Sequence, residues 1–211
     1  MIPKIEDIIR AAKLHPSRVF NIYIFGSRVY GTYNKDSDWD VIMVANNSVE
    51  STEIRNGLYN IHVYTPDKFQ SDLDWHRPNN LECIFAPNWA ILKEDKKFNF
   101  KLNLAKLRHA SSHVSSNSWV KAKKKLEVGE YYTGVKSLFH SIRIPMFASQ
   151  VATDGKISDF ECANFVWNKL TFSDLPHYMR NKEWSWSEIE TEFKLLHNKV
   201  NSDFRKVSPK V

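Results

Sequence analysis

The run Val19-Phe-Asn-Ile-Tyr-Ile-Phe25, ended abruptly by Gly26-Ser27, constrains this chain more than any other segment. β-Branched and aromatic residues in succession favour a pleated strand, and a Gly-Ser pair at its end demands a tight turn. A second apolar run over 39–44 stops at Asn46-Asn47-Ser48, and a third over 58–64 is entered through Asn56-Gly57. Ahead of the first run, Ile5, Ile8, Ile9 and Ala12 recur at helical spacing before Pro16. The first 65 residues therefore read as helix, strand, short helix, strand, strand. That is an α/β (α+β) plan on a small mixed sheet.

Pro66 suits the first turn of a helix reaching about Trp75, because its missing N–H has no partner there in any case. Residues 81–85 and 89–92 are shorter apolar pieces. Beyond them helical periodicity takes over, with helices expected over 101–127, 130–152, 157–170 and 186–206, and Gly129 and Gly155 at helix ends. The expected organisation is a sheet domain over 1–97 and a helical domain over 98–211, with the last residues from Ser208 frayed.

Composition narrows the function classes. No apolar stretch approaches the roughly 18–20 residues of a membrane span, and the N-terminal segment lacks a signal-peptide core, so an intracellular, cytoplasmic protein without a membrane partner is expected. The two cysteines, Cys83 and Cys162, give neither a disulfide framework nor a zinc spacing. Residues 1–100 carry 12 Lys and Arg against 13 Asp and Glu, whereas residues 101–211 carry 18 against 11. A basic second half suits a polyanion such as RNA or DNA. Its densest part is Lys121, Lys123, Lys124 and Lys125, flanked by Trp119, Tyr131 and Tyr132, a pattern that can track a phosphate backbone and stack bases. A lysine-rich solvated helix explains it equally simply, and the cluster Trp167, Trp184, Trp186, Phe172 and Tyr178 reads as core or a docking surface.

The chemistry is carried by Phe25-Gly-Ser-Arg-Val-Tyr-Gly-Thr-Tyr-Asn-Lys-Asp-Ser-Asp-Trp-Asp40. Asp38 and Asp40, two apart where a strand begins, project from one face and can share a hard divalent cation. Gly26 lets backbone approach a phosphate closely, and Ser27 adds a hydroxyl and an N–H at a helix start, where the dipole favours anions. Arg28 can reach a triphosphate by charge-assisted hydrogen bonds or lie on the surface of the short helix. Cation, carboxylates and triphosphate together form the arrangement used in phosphoryl transfer.

These residues resemble the DNA polymerase beta superfamily of nucleotidyltransferases, whose hallmark is Gly-Ser, a gap, and Asp-x-Asp. The phrase Gly26-Ser-Arg-x-Tyr-Gly31 with Ser37-Asp38-x-Asp40 looks most like the RNA-ligase-associated predicted nucleotidyltransferases, as do Lys68-Phe69, Leu81-Glu82 and the helical stretch Lys136-Ser-Leu-Phe-His140-Ser-Ile-Arg143. The resemblance implies transfer of a nucleoside monophosphate from a nucleoside triphosphate (NTP) to an acceptor hydroxyl, with Mg2+ or Mn2+ on Asp38 and Asp40. Gly26, Ser27, Arg28, Ser37, His140 and Arg143 are then the nucleotide-binding set.

The superfamily places a third carboxylate on the next strand, and here that position is Asn60. His62 shares its strand face, and Glu82 or Asp67 would compensate if the fold brought either near. The acceptor is open among an RNA end, a protein side chain and a small molecule, with the basic second half leaning toward RNA. Two further readings are a catalytically weakened nucleotide- or RNA-binding module and an antitoxin-type enzyme that modifies a protein.

Overall fold

The structure, a computed structural model, describes residues 2–171 and 183–210, and the chain divides into two compact units, Met1–Lys101 and Leu102–Val211. Phe172 and Tyr178 lie outside the described residues.

The first unit is a five-stranded mixed sheet in the order β3-β4-β2-β1-β5, with β1 Val19–Phe25, β2 Trp39–Ala45, β3 Ser51–Asn56, β4 Tyr59–Tyr64 and β5 Ile91–Glu94. Strands β2 and β4 are parallel and the other pairs antiparallel. Alternation along the strands sends Val41, Met43, Ala45, Ile61 and Val63 to one face, where Ile8, Ile9, Ala11 and Ala12 of α1 (Ile5–Ala11) cover them. Tyr23, Ile42 and Val44 go to the other face and pack on Phe69 of α3 (Pro66–Asp74) and Cys83 of α4 (Pro78–Ile84). Helix α3 starts as Pro66 suggests, and the Thr65 hydroxyl caps it by accepting from the Lys68 N–H.

Two features depart from the sequence reading. Strand β3, on the sheet edge, was not anticipated. It pairs with β4 through a turn at Gly57-Leu58, so that the segment between β2 and β4 is an edge strand and not a loop. Residues 98–100 belong with the sheet: Phe98 lies 4.5 Å from the Phe69 ring, and Phe100 contacts His76 and Phe85. Asn21, the polar residue inside β1, explains how that tail is tied down. Its amide donates to the Lys96 carbonyl at 2.8 Å and accepts from the Lys96 N–H at 2.9 Å.

In the second unit α5 (Leu104–Glu127) and α6 (Tyr131–Asp154) form a long hairpin, joined by α7 (Asn164–Thr171) and α8 (Trp186–Val207). Helix α7 is shorter than expected, since 157–163 are not helical although Ile157 and Ala163 are buried. Ser185 and Glu188 close a reciprocal capping box at the start of α8. Pro145 interrupts α6 from within. Having no N–H, it leaves the Ser141 carbonyl without its helical partner, and the buried Ser115 hydroxyl of α5 donates to that oxygen at 2.6 Å. Asn201 of α8 joins the same site, its Oδ1 3.3 Å from the Ser115 hydroxyl. The expected fraying at the C-terminus is corrected for Ser208, which is fully buried: its hydroxyl donates to the Leu104 carbonyl at 2.7 Å and its carbonyl accepts from Arg108. Among the described residues no helix is long and apolar enough to cross a membrane.

Candidate active site

Asp40 and Asn60 are register partners across the parallel β2–β4 pair. Their neighbours in the same row are Phe25 on β1 and Arg55 on β3, so the row across the sheet reads Phe25, Asp40, Asn60, Arg55. Asp38 shares the parity of Asp40 and lies just before β2, which brings both carboxylates to one face at one end of the sheet.

The Gly-Ser turn closes on this end. Gly26 has φ +78°, and a Cβ there would stand 2.4 Å from Asp40 Oδ2. Glycine is therefore required twice, by the backbone angle and by the carboxylate packed against it. Ser27 is buried and begins α2 (Ser27–Tyr30), a single turn of helix. Its leading N–H groups have no partner within the helix, which gives an anion local hydrogen bonds but little of a long helix's dipole.

Arg28 has a defined local task. Its Nε donates to the Asp38 carbonyl at 3.1 Å and its Nη2 to the Ser37 carbonyl at 2.5 Å. The guanidinium also lies 4.0 Å from the centre of the Trp39 ring and 5.0 Å from that of Tyr33. These bonds clip the 33–39 loop onto α2 and fix the backbone that carries Asp38. Ser37 closes the loop from within: its hydroxyl accepts from the Asn34 N–H at 2.9 Å and donates to Asn34 Oδ1 at 3.2 Å.

Asn60 is nine-tenths buried and donates its Nδ2 to Asp40 Oδ1 at 3.0 Å, while its own Oδ1 is buried with no hydrogen-bond partner. The orientation follows from charge, because turning the amide over would set an acceptor against a carboxylate. The other candidates for a third acid lie elsewhere. Glu82 is buried on α4 and accepts from the Tyr30 hydroxyl of α2. Asp67 lies beyond the far end of β4, after a strand that carries the chain about 13 Å from Asn60 to Tyr64. There it lines a separate cavity of about 670 Å3 with Asn46, Thr65 and Lys96. His62 is one row inward, against the Phe25 ring.

Among the described residues no three His, Cys, Asp or Glu side chains gather as a metal cage. Two hard carboxylates fit one divalent cation of the magnesium type; the Asn60 amide, with its N–H turned to Asp40, does not complete the donor set for a second. The sequence reading missed Arg55, because it missed the strand that carries it. Arg55 pairs with Glu53 at 2.9 Å, and its guanidinium is held protonated first by that hydrogen bond and then by the field of Glu53, Asp38 and Asp40.

His140 and Arg143 lie on α6 of the helical unit. Arg143 is buried and donates Nε and Nη2 to His140 Nδ1 at 3.3 and 3.2 Å. Because the guanidinium has no acceptor, the imidazole is neutral and carries its proton on Nε2. Burial, then Arg143, Lys136 and Lys121, hold its pKa well below the ordinary histidine range. In the basic run, Lys123 pairs with Glu127 and Lys125 with Glu130. Trp119 stacks on His197 at 4.3 Å and meets Trp186 edge-on, so it joins α5 to α8.

A five-stranded mixed sheet with a Gly-Ser turn set against paired aspartates at one end, followed by a helical region, is the architecture of a nucleotidyltransferase. Residues 2–110 match the nucleotidyltransferase domain family, and the chain belongs to it. No curated protein matches the chain. Among solved structures it is similar to a nucleotidyltransferase-like protein from Exiguobacterium sibiricum 255-15, at 14% identity over 96% of this chain and 76% of that one, with a TM-score of 0.36. It is also similar to a spectinomycin adenyltransferase from Enterococcus faecialis, solved with ATP and spectinomycin, at 12% identity over 96% and 100% with a TM-score of 0.47. An aminoglycoside 6-adenyltransferase from Bacillus subtilis is similar at 10% identity over 96% and 89%, with a TM-score of 0.30.

Proposed function

We propose that this chain transfers a nucleoside monophosphate from an NTP to an acceptor hydroxyl, releasing pyrophosphate. The observation that carries the reading is the contact of Gly26 with the Asp40 carboxylate, which sets a phosphate-binding turn directly against an acidic pair. Asp38 and Asp40 are the residues that hold Mg2+ or Mn2+. When bound, such a cation supplies charge neutralisation for the triphosphate. Gly26 and Ser27 orient the phosphates through backbone N–H groups and the Ser27 hydroxyl. Arg28 and Ser37 act by fixing the loop that presents Asp38, and Asn60 holds Asp40 in place. His140 and Arg143 are assigned to the nucleotide by their match to the RNA-ligase-associated subgroup, with the neutral His140 offering its Nε2 proton as a donor. RNA is the acceptor that the charge of residues 101–211 favours.

A second reading, a nucleotide-binding module with weakened catalysis, is favoured by Asn60, since an amide neither takes a proton from an acceptor hydroxyl nor balances a second cation. The experiment is label transfer from each of four α-labelled NTPs, with Mg2+ or Mn2+, into RNA and protein acceptors, beside Asp38→Ala/Asp40→Ala. Incorporation into RNA that disappears in the double variant is the expected result. Labelling of protein alone would move the acceptor to a partner protein. Metal-dependent NTP binding without incorporation into any acceptor would favour the binding module.

A further inference from the structure

The Asn60–Asp40 hydrogen bond bears on how many cations the site takes. With an acid at position 60, two carboxylates would face each other across register-paired parallel strands, and like charges that close need a cation between them. In this chain the gap is bridged by an amide hydrogen at a 3.0 Å donor–acceptor distance. The acidic pair alone balances one divalent cation. Turning the amide over to offer Oδ1 as a ligand would break the bond to Asp40 and place two acceptors together. The buried, unpartnered Oδ1 is consistent with this, because the amide keeps its N–H on Asp40 although its oxygen finds no donor.

We infer that the Asn60 amide hydrogen stands where a second divalent cation sits in a three-acid site, so that this chain takes up a single cation, and only together with nucleotide. The nucleotide part rests on the function proposed above; the one-cation part rests on Asn60 and Asp40 alone. Asn60 is in these terms a positioning residue that acts through Asp40.

The test is Mn2+ binding to the full chain by electron paramagnetic resonance, with and without ATP, for the wild type, Asn60→Asp and Asn60→Ala. The wild type is expected to hold one Mn2+ with ATP and to bind it at least about tenfold more weakly without. Asn60→Asp is expected to bind Mn2+ without nucleotide at least about tenfold more tightly than the wild type. Its thermal midpoint should be lowered in EDTA and restored by Mn2+. Asn60→Ala removes the donor without adding charge and should gain no nucleotide-free binding. Nucleotide-free binding by the wild type as tight as that of Asn60→Asp, or two Mn2+ per wild-type chain with ATP, would overturn the inference. If Asn60→Asp fails to fold, the wild-type stoichiometry and Asn60→Ala still decide it. A wild type that binds no ATP, beside an Asn60→Asp that gains nucleotide-free Mn2+, would sink the proposed function and leave the one-cation assignment standing.

Discussion

Asn60 in the sheet unit and Asn201 in the helical unit are both buried, and their surroundings treat them differently. Asn201 donates to the His197 carbonyl at 2.9 Å and sets its oxygen 3.3 Å from the Ser115 hydroxyl, inside a group of polar atoms that also takes up the carbonyl released by Pro145. Asn60 donates to one carboxylate and keeps a buried oxygen without a donor. A buried acceptor left unsatisfied costs about 1–3 kcal/mol, which a purely structural position would be free to recover by substitution. The contrast sets a position that stabilises its unit beside one that, on the function proposed above, is kept for chemistry.

The largest way to sharpen that contrast is at the acidic pair. Asp38→Ala/Asp40→Ala should lower label incorporation on the order of 10³-fold or more while the helical unit unfolds at an unchanged temperature by circular dichroism. A loss of fold there would mean that the carboxylates hold the sheet together. Gly26→Ala comes next. Its Cβ would press on Asp40 Oδ2 at 2.4 Å, and displacing that carboxylate by about an ångström should reduce turnover on the order of 10²-fold in steady-state kinetics.

Ser115→Ala tests the other side. It leaves the buried Ser141 carbonyl without the Ser115 donor and should lower stability to urea by about 1–3 kcal/mol, with label transfer unchanged where the protein is folded. A change in turnover without a change in stability would break the comparison.

The smallest effect is on pH. The folded His140 imidazole stays neutral well below the ordinary value of 6.5, held there by burial and then by Arg143, Lys136 and Lys121, and burial lowers His197 as well. Below pH 6.5 the unfolded chain therefore binds more protons than the folded one, so stability is fully present above that value and falls as the pH drops. Thermal midpoints measured from pH 7.5 to 5 should decline, and His140→Gln, which takes up no proton, should decline less steeply.

How much of this was readable in the sequence depends on which signal each element uses. Strands β1, β2 and β4 announce themselves because the central strands of this sheet are buried on both faces and need continuous apolar runs. Strand β3 is an edge strand. Its Ser-Thr-Glu-Ile-Arg-Asn alternates only Thr52 and Ile54 inward, too few apolar positions to separate it from a loop. Missing β3 concealed Arg55, since nothing else links it to Asp40 and Asn60. The motif identified Asp38, Asp40 and Gly26 because their spacing is local. The engagements of Arg28 with the 33–39 loop and of Glu82 with Tyr30 depend on rotamers and on a 52-residue separation, which periodicity does not encode. Helix α7 was overextended because Ile157 and Ala163 are buried without being helical, so burial imitated a helical stripe.

Pro145 gives α6 a polar tie to α5. A proline within a helix frees one carbonyl, and here the Ser115 hydroxyl on the neighbouring helix answers it. The two positions are consequently dependent on each other in descent as well as in space: a lineage that loses the proline heals the helix and frees the serine to vary, whereas one that loses the serine first must pass through a weakened intermediate. Homologous sequences should therefore show proline at position 145 paired with a hydroxyl or other donor at position 115.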